Sequence, residues 1–192
     1  SDLRLVAGDD KTELRFHIEK WDAVNQLALV WVKLPRLAAH TEAWLYFGNP
    51  EAAPASEPKG TYDAASAVFH FNEAGGNPAD SGPNSINATA FSGERAAASF
   101  ASGGAKFNGT QSLTLPAINA AGGMSVAMWV KPAALDGELL QADGLNVALA
   151  GGVVNVQAGG ASVAAGVPLA AGKWHHLAIT LDSTLKVYVD GK

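Results

Sequence analysis

The sequence predicts an all-β protein, a β-sandwich or jelly roll preceded by a smaller β domain. Three observations carry that prediction. Short runs alternate apolar and polar residues at the period of a strand. Turn residues separate these runs at regular intervals. No stretch holds a helical period beyond about three turns.

The end of the chain shows the pattern most clearly. Residues 173–182 and 185–192 read as alternating strands joined at Asp182-Ser183-Thr184, and Asp190-Gly191 is a further hairpin signal. Residues 146–150 and 153–157 form a second hairpin around Gly151-Gly152, where glycine supplies the positive φ of a two-residue turn. Residues 124–130 alternate, with Val126, Met128 and Val130 on one face and Ala127 and Trp129 on the other. Shorter strands are expected at 67–71, 106–109 and 112–116, with a long polar loop over 72–90.

The first part is more mixed in charge. Leu3 and Leu5, then Leu14, Phe16 and Ile18, alternate with polar positions around the turn Gly8-Asp9-Asp10. Residues 27–34 form an apolar run that stops at Pro35, which has no N–H for a ladder. Residues 43–50 are aromatic-rich and close on Gly48-Asn49-Pro50. A proline- and alanine-rich stretch over 49–65 then reads as a linker. The expected organisation is a small β domain over 1–60, that linker region, and a jelly roll over 66–192.

Composition narrows the function classes. The net charge is −5 with no basic patch, which argues against nucleic acid as a partner. No run is long enough to span a membrane, and no signal peptide opens the chain. A start on Ser1 in place of Met reads as a processed or excised terminus. The absence of cysteine excludes disulfides, zinc-thiolate sites and cysteine nucleophiles, and leaves the compartment undecided.

Several motifs together identify a resemblance. They are Val68-Phe69-His70-Phe71-Asn72-Glu73, Ala79-Asp80-Ser81-Gly82-Pro83-Asn84, Ala105-Lys106-Phe107-Asn108-Gly109, Met124-Ser125-Val126-Ala127-Met128-Trp129-Val130-Lys131-Pro132, Lys173-Trp174-His175-His176-Leu177-Ala178 and Val187-Tyr188-Val189-Asp190-Gly191. In this order and spacing, residues 67–192 resemble a laminin G-like domain of the concanavalin A-like lectin/glucanase type. Asp2-Leu3-Arg4-Leu5-Val6, Ile18-Glu19-Lys20-Trp21, Val30-Trp31-Val32-Lys33-Leu34-Pro35 and Leu45-Tyr46-Phe47-Gly48-Asn49-Pro50 make residues 1–63 similar to the domain of unknown function 2341.

The resemblance implies a concanavalin A-like jelly roll that is C-terminally incomplete, and a first domain that is N-terminally incomplete. An unpaired sheet edge at Val68–Phe71 is then expected. It also implies an extracytoplasmic setting in a bacterial envelope or secreted protein, because the tandem occurs in envelope proteins, some joined to a MotA/TolQ/ExbB-type proton channel.

The concanavalin A-like fold also hosts glycoside hydrolases, which need two carboxylates facing the cleaved bond. No Glu-x-Asp-x-Glu run supplies them, so no catalytic residue is assigned. Asp80, Ser81, Asn84 and Asn87 form an oxygen-rich loop. Asp80 and Asn84 are therefore candidate calcium ligands, against the alternative of an ordinary Asx turn. His175 and His176 are adjacent, face opposite sides of a strand and read as structural; His17, His40 and His70 carry no metal spacing. Of the five tryptophans, Trp31 and Trp174 read as core, while Trp21 and Trp44 are the candidate ligand contacts.

These readings lead to a non-catalytic binding module for glycan or an extracellular or envelope protein. The alternatives are a structural or adhesion spacer in an envelope assembly, and an accessory domain of a larger glycoside hydrolase.

Overall fold

A computed structural model describes residues 2–97, 99–118, 123–142 and 144–192. Contacts group the chain into two compact units, Ser1–Ala117 and Ile118–Lys192. Apart from one four-residue helix, all regular structure among the described residues is β.

The first unit contains β1 (Arg4–Ala7), β2 (Phe16–Asp22), β3 (Leu27–Val32), β4 (Ala43–Tyr46), α1 (Pro58–Thr61), β5 (Ala90–Phe91), β6 (Glu94–Ala96), β7 (Gly104–Lys106) and β8 (Leu113–Thr114). These strands pair as β1 with β4, β2 with β3, β5 with β8 and β6 with β7, all antiparallel. β3 ends at Val32, two residues short of the expected run that stops at Pro35. Leu3, Leu14 and Phe16 are buried here.

The stretch expected as a linker is tied to β2. Glu57 N–H donates to the Phe16 carbonyl at 2.8 Å, and Ile18 N–H donates to Ser56 Oγ at 2.9 Å. Pro58 opens α1, where a missing N–H costs nothing, and the Glu57 carboxylate caps Gly60 N–H at 2.7 Å.

The strand expected over 67–71 does not form. Val68 N–H donates to Asp80 Oδ1 at 2.8 Å and its carbonyl accepts from Ser81 N–H at 2.8 Å, so the following loop takes the groups a ladder would use. The sheet edge expected at Val68–Phe71 is therefore absent.

The second unit is a sandwich. Its strands are β9 (Met124–Val130), β10 (Gly137–Ala142), β11 (Leu145–Ala150), β12 (Val153–Ala158), β13 (Ala161–Ala164), β14 (His175–Leu181) and β15 (Leu185–Val189). One sheet runs β10-β11-β12-β13 and the other β15-β14-β9. Period-two alternation turns Leu145, Val147, Leu149, Val154 and Val156 of the first sheet inward. Leu177, Ile179 and Val189 of the second join the same buried cluster, with Val126, Met128 and Val187 packed on it. The inner and outer faces of β9 are those its sequence predicts.

The turn at Gly151-Gly152 has φ of 56° and 81°, as a type I′ hairpin requires. It is held from outside, since Gly152 N–H donates to the Leu135 carbonyl at 2.7 Å and Leu169 N–H to the Gly152 carbonyl at 2.8 Å. The Gly-Gly pair at 122–123 also reads from the sequence as a turn, and Gly122 lies outside the described residues. β10 and β13 are not expected from the sequence, because Glu138-Leu139-Leu140-Gln141 does not alternate and Ala161-Ser162-Val163-Ala164 is nearly all small.

Two tryptophans depart from expectation. Trp31 is 43% and Trp174 is 37% exposed, so neither is a core residue. The core is aliphatic instead.

Leu177 is fully buried, whereas Thr180 of the same strand points away from the core. Leu177→Ala is expected to destabilise the second unit by about 2–5 kcal/mol, and Thr180→Ala by less than about 0.5 kcal/mol. Urea unfolding followed by NMR signals of β11 and β12 measures both. Equal losses would contradict the assigned faces.

Candidate functional site

The outer face of the β15-β14-β9 sheet presents a set of exposed and half-buried side chains in cross-strand register. Register places His176 opposite Trp129, Ala178 between Ala127 and Tyr188, and Thr180 between Ser125 and Lys186. Trp129 is 38% and Tyr188 37% exposed. The Trp129 and His176 rings lie 5.1 Å apart between centroids at an interplanar angle of 57°. Two strand spacings and one two-residue step separate the Trp129 and Tyr188 Cα positions by about 12 Å. The methyl groups of Ala127 and Ala178 form a low floor between two aromatic side chains, and Thr180, Lys186 and His176 supply hydrogen-bonding groups around it.

His175 faces the other way and is a clamp. Its Nε2 accepts from Ala170 N–H at 3.0 Å, so the ring proton sits on Nδ1 and is donated to Asp190 Oδ2 at 2.8 Å. Asp190 Oδ1 accepts from His176 N–H at 2.8 Å. The His175 donor, followed by the His176 amide, holds the Asp190 carboxyl below the ordinary aspartate value. The structural reading from sequence agrees with these contacts for His175, whereas the His176 ring lies beside Trp129 on the outer face.

A cleft of about 490 Å³ opens at one end of this unit, between the β12–β13 turn and the turn at Asp182-Ser183-Thr184. Leu181, Leu185 and Val163 line its apolar side. Asp182 Oδ1 is occupied by Thr184 N–H at 2.9 Å, which lowers its pKa.

The chain matches two known families in tandem. Residues 107–192 match the family model of the concanavalin A-like lectin/glucanases superfamily. Residues 1–86 match that of the domain of unknown function 2341. The order of the two is the one the motifs suggest. Comparison with curated proteins and with solved structures gives no match.

The ligand and metal candidates read from the sequence lie in the first unit. Trp21 on β2 is 56% exposed and pairs with Ala28; Trp44 on β4 is 50% exposed and pairs with Val6. They sit on separate two-stranded sheets and are not brought together.

Asp80 and Asn84 share a loop, where both act on the backbone. Asp80 Oδ1 accepts from Val68 N–H at 2.8 Å and Gly82 N–H at 2.7 Å, and Oδ2 accepts from Ile86 N–H at 3.0 Å. Asn84 Nδ2 donates to the carbonyls of Ala65 at 3.1 Å and Ser66 at 3.0 Å. Among the described residues no group of three or more His, Cys, Asp or Glu side chains is placed to hold a metal ion. A cation at Asp80 would compete with three N–H donors already in place.

Sequence reasoning missed a buried polar cluster in the first unit. The β2–β3 register shifts between Ile18 and Lys20, so Glu19 is a bulge residue. A bulge re-aims its side chain, and here the carboxylate is only 4% exposed. Glu19 Oε1 accepts from Ser102 Oγ at 3.0 Å; Oε2 accepts from Trp31 Nε1 and lies 3.3 Å from His70 Nδ1. Gly103 lets the Ser102 loop approach, since a Cβ there would meet the Phe71 carbonyl oxygen at 2.2 Å. His17 Nδ1 is 3.0 Å from the Tyr62 hydroxyl, and the His17 and His70 rings are 5.0 Å apart. Burial pushes the Tyr62 phenol well above its ordinary pKa, and the Glu19 charge adds to the rise. No spacing in the sequence announces this cluster, because its members are brought together by a bulge and by tertiary contacts.

Two outcomes follow from the carboxylates. Asp190 has a depressed folded pKa, so its stabilisation is present above the ordinary value of 3.8 and is lost as pH falls through the lower folded value. Asp190→Asn is expected to lower the melting temperature at pH 7 and to flatten its decline below about pH 4; an unchanged acid limb would refute the clamp. Asp80→Ala should cost about 1–3 kcal/mol, since three N–H donors lose their acceptor. Millimolar calcium should leave the wild-type melting temperature unchanged. A calcium-dependent rise that Asp80→Ala abolishes would restore Asp80 as a ligand.

Proposed function

We propose that this chain is a non-catalytic binding module that recognises carbohydrate on the outer face of the β15-β14-β9 sheet. The observation that carries the reading is the Trp129–His176 pair and Tyr188 standing on either side of Ala127 and Ala178. Sugar rings offer apolar C–H faces bounded by hydroxyl groups. An exposed aromatic ring beside a low apolar floor matches the first, and Thr180, Lys186 and His176 match the second. The match to a lectin/glucanase superfamily supports the same reading by analogy of fold.

Glycoside hydrolysis asks for two carboxylates facing one bond, with a separation of about 5–10 Å. The proposed face has Asp190 at its border, and that carboxylate is engaged by His175 and His176. Among the described residues that line the end cleft, Asp182 is the one carboxylate. Both points favour binding over cleavage. An extracytoplasmic setting belongs to the proposal and rests on the tandem with the domain of unknown function 2341.

One observation favours the reading as an adhesion or assembly element. In the first unit Trp44, Leu45, Tyr46 and Phe47 are exposed by 50%, 53%, 47% and 75%, an apolar run open on both faces of β4.

A glycan array probed with the whole chain separates the two readings. Binding to one glycan class is expected, with Trp129→Ala and Tyr188→Ala each weakening it at least about tenfold, the equivalent of about 1.4 kcal/mol per site. If no glycan is retained, or if Trp129→Ala binds as the wild type does, the sheet face is not the site and the assembly reading takes precedence.

A further inference from the structure

The buried cluster in the first unit is not used by the proposed binding face, and its composition is unusual for an interior. His17 and Glu19 come from β2, Trp31 from β3, Tyr62 follows α1, His70 lies in the segment 67–71, and Ser102 lies between β6 and β7. The cluster therefore joins the β2–β3 hairpin to three later segments of the same unit. Its buried countercharge is Glu19, whose two oxygens already serve Ser102, Trp31 and His70.

Each histidine has one nitrogen committed. His17 uses Nδ1 toward Tyr62, and His70 uses Nδ1 toward Glu19. His70 Nε2 is buried with no hydrogen-bond partner among the described residues, and the His70 side chain is 6% exposed. A proton on that nitrogen would find no acceptor among the described residues. Protonating both rings would set two positive charges at a ring separation of 5.0 Å. Glu19 is the countercharge that relieves an added proton here; the Lys33–Asp63 and Arg15–Glu57 pairs are satisfied and half-exposed, and Glu73 is paired to Arg95 at 2.9 Å. Lys20 on β2 and Lys59 on α1 carry the same sign as the incoming protons.

We propose that His17, set between the Tyr62 hydroxyl and the His70 ring, is an acid-released latch, which holds the β2–β3 hairpin against Tyr62, His70 and Ser102 when uncharged and lets it go when protonated. Burial, and then the neighbouring His70, keep the folded His17 pKa below its ordinary value of 6.5, with Glu19 acting in the opposite sense. The sign follows from linkage. A base with a depressed folded pKa binds protons more readily in the opened state, so the closed state loses stability as pH falls from about 6.5 through the folded value. Each unit of pKa depression contributes about a tenfold change in the opening constant.

Hydrogen exchange on the full chain tests the latch, with rates corrected for intrinsic pH dependence. The reporters are the Ile18 and Lys20 amides and the Trp31 indole N–H, which is bonded to Glu19; the amides of β11 and β12 serve as the reference. Opening of the reporters is expected to rise at least about tenfold between pH 7.5 and pH 5.5 relative to the reference. The double variant His17→Gln/His70→Gln should lose that response. No relative rise in the wild type, or the same rise in the folded double variant, would overturn the proposal.

Should the double variant fail to fold, two measurements on folded protein decide. His17 must titrate below 6.5 by NMR of its ring carbon, and Tyr62→Phe, which removes the His17 partner, must move the pH midpoint of opening. A His17 titration at or above 6.5, or an unmoved midpoint, would overturn the proposal equally.

Discussion

Face-to-face burial of β14 against β11 and β12 is the constraint from which the second unit follows. Leu177 and Ile179 sit fully inside, against Val147, Val154 and Val156. Each such side chain contributes about 1.5–3 kcal/mol on leaving water. A one-residue slip would turn all of them outward together. Once this face is chosen, the other face is chosen too. His176, Ala178 and Thr180 must point out, and pairing brings Trp129 and Tyr188 to their flanks. The proposed binding surface is the geometric complement of the core.

Carboxylates play a common part in both units. Asp80 and Asp182 spend oxygens on backbone N–H groups of their loops, and Asp190 divides its two between the His176 N–H and the His175 ring. Glu19 differs. A bulge carries it into the interior, where it is satisfied by side chains drawn from distant parts of the chain. A buried charge with a full set of partners stabilises its neighbourhood, and the same low dielectric makes any added charge beside it costly. The loops are therefore organised by exposed or half-buried carboxylates, and the interior of the first unit by a buried one.

Much of this is legible in the order of the residues. The two faces of β9, the hairpins at Gly151-Gly152 and Asp182-Ser183-Thr184, and the end of β3 before Pro35 all follow from local chemistry. Where local signals are weak, fold and sequence part. β10 and β13 have little alternation, and residues 67–71 alternate yet give their backbone groups to Asp80 and Ser81. Trp31 and Trp174 lie near apolar runs yet remain partly exposed, since neighbouring residues in sequence do not establish what covers a ring. Trp21 and Trp44 attract notice as isolated aromatic side chains, whereas Trp129 gains its interest from cross-strand neighbours that sequence order does not display.

By itself the sequence determined what depends on period and turn chemistry: an all-β chain, a two-part order, and the inward and outward sides of its strongest strands. It also carried enough ordered motifs to indicate the two families whose models match residues 1–86 and 107–192. Tertiary structure alone decided which outward residues stand side by side and which polar residues are buried. Register across β9, β14 and β15 set Trp129, Ala178 and Tyr188 on one surface, and a bulge at Glu19 gathered His17, Tyr62, His70 and Ser102 around a single carboxylate. The reason is physical. Period and turn signals act between residues close in the chain, whereas cross-strand neighbours and desolvation depend on segments that meet only after the chain has folded.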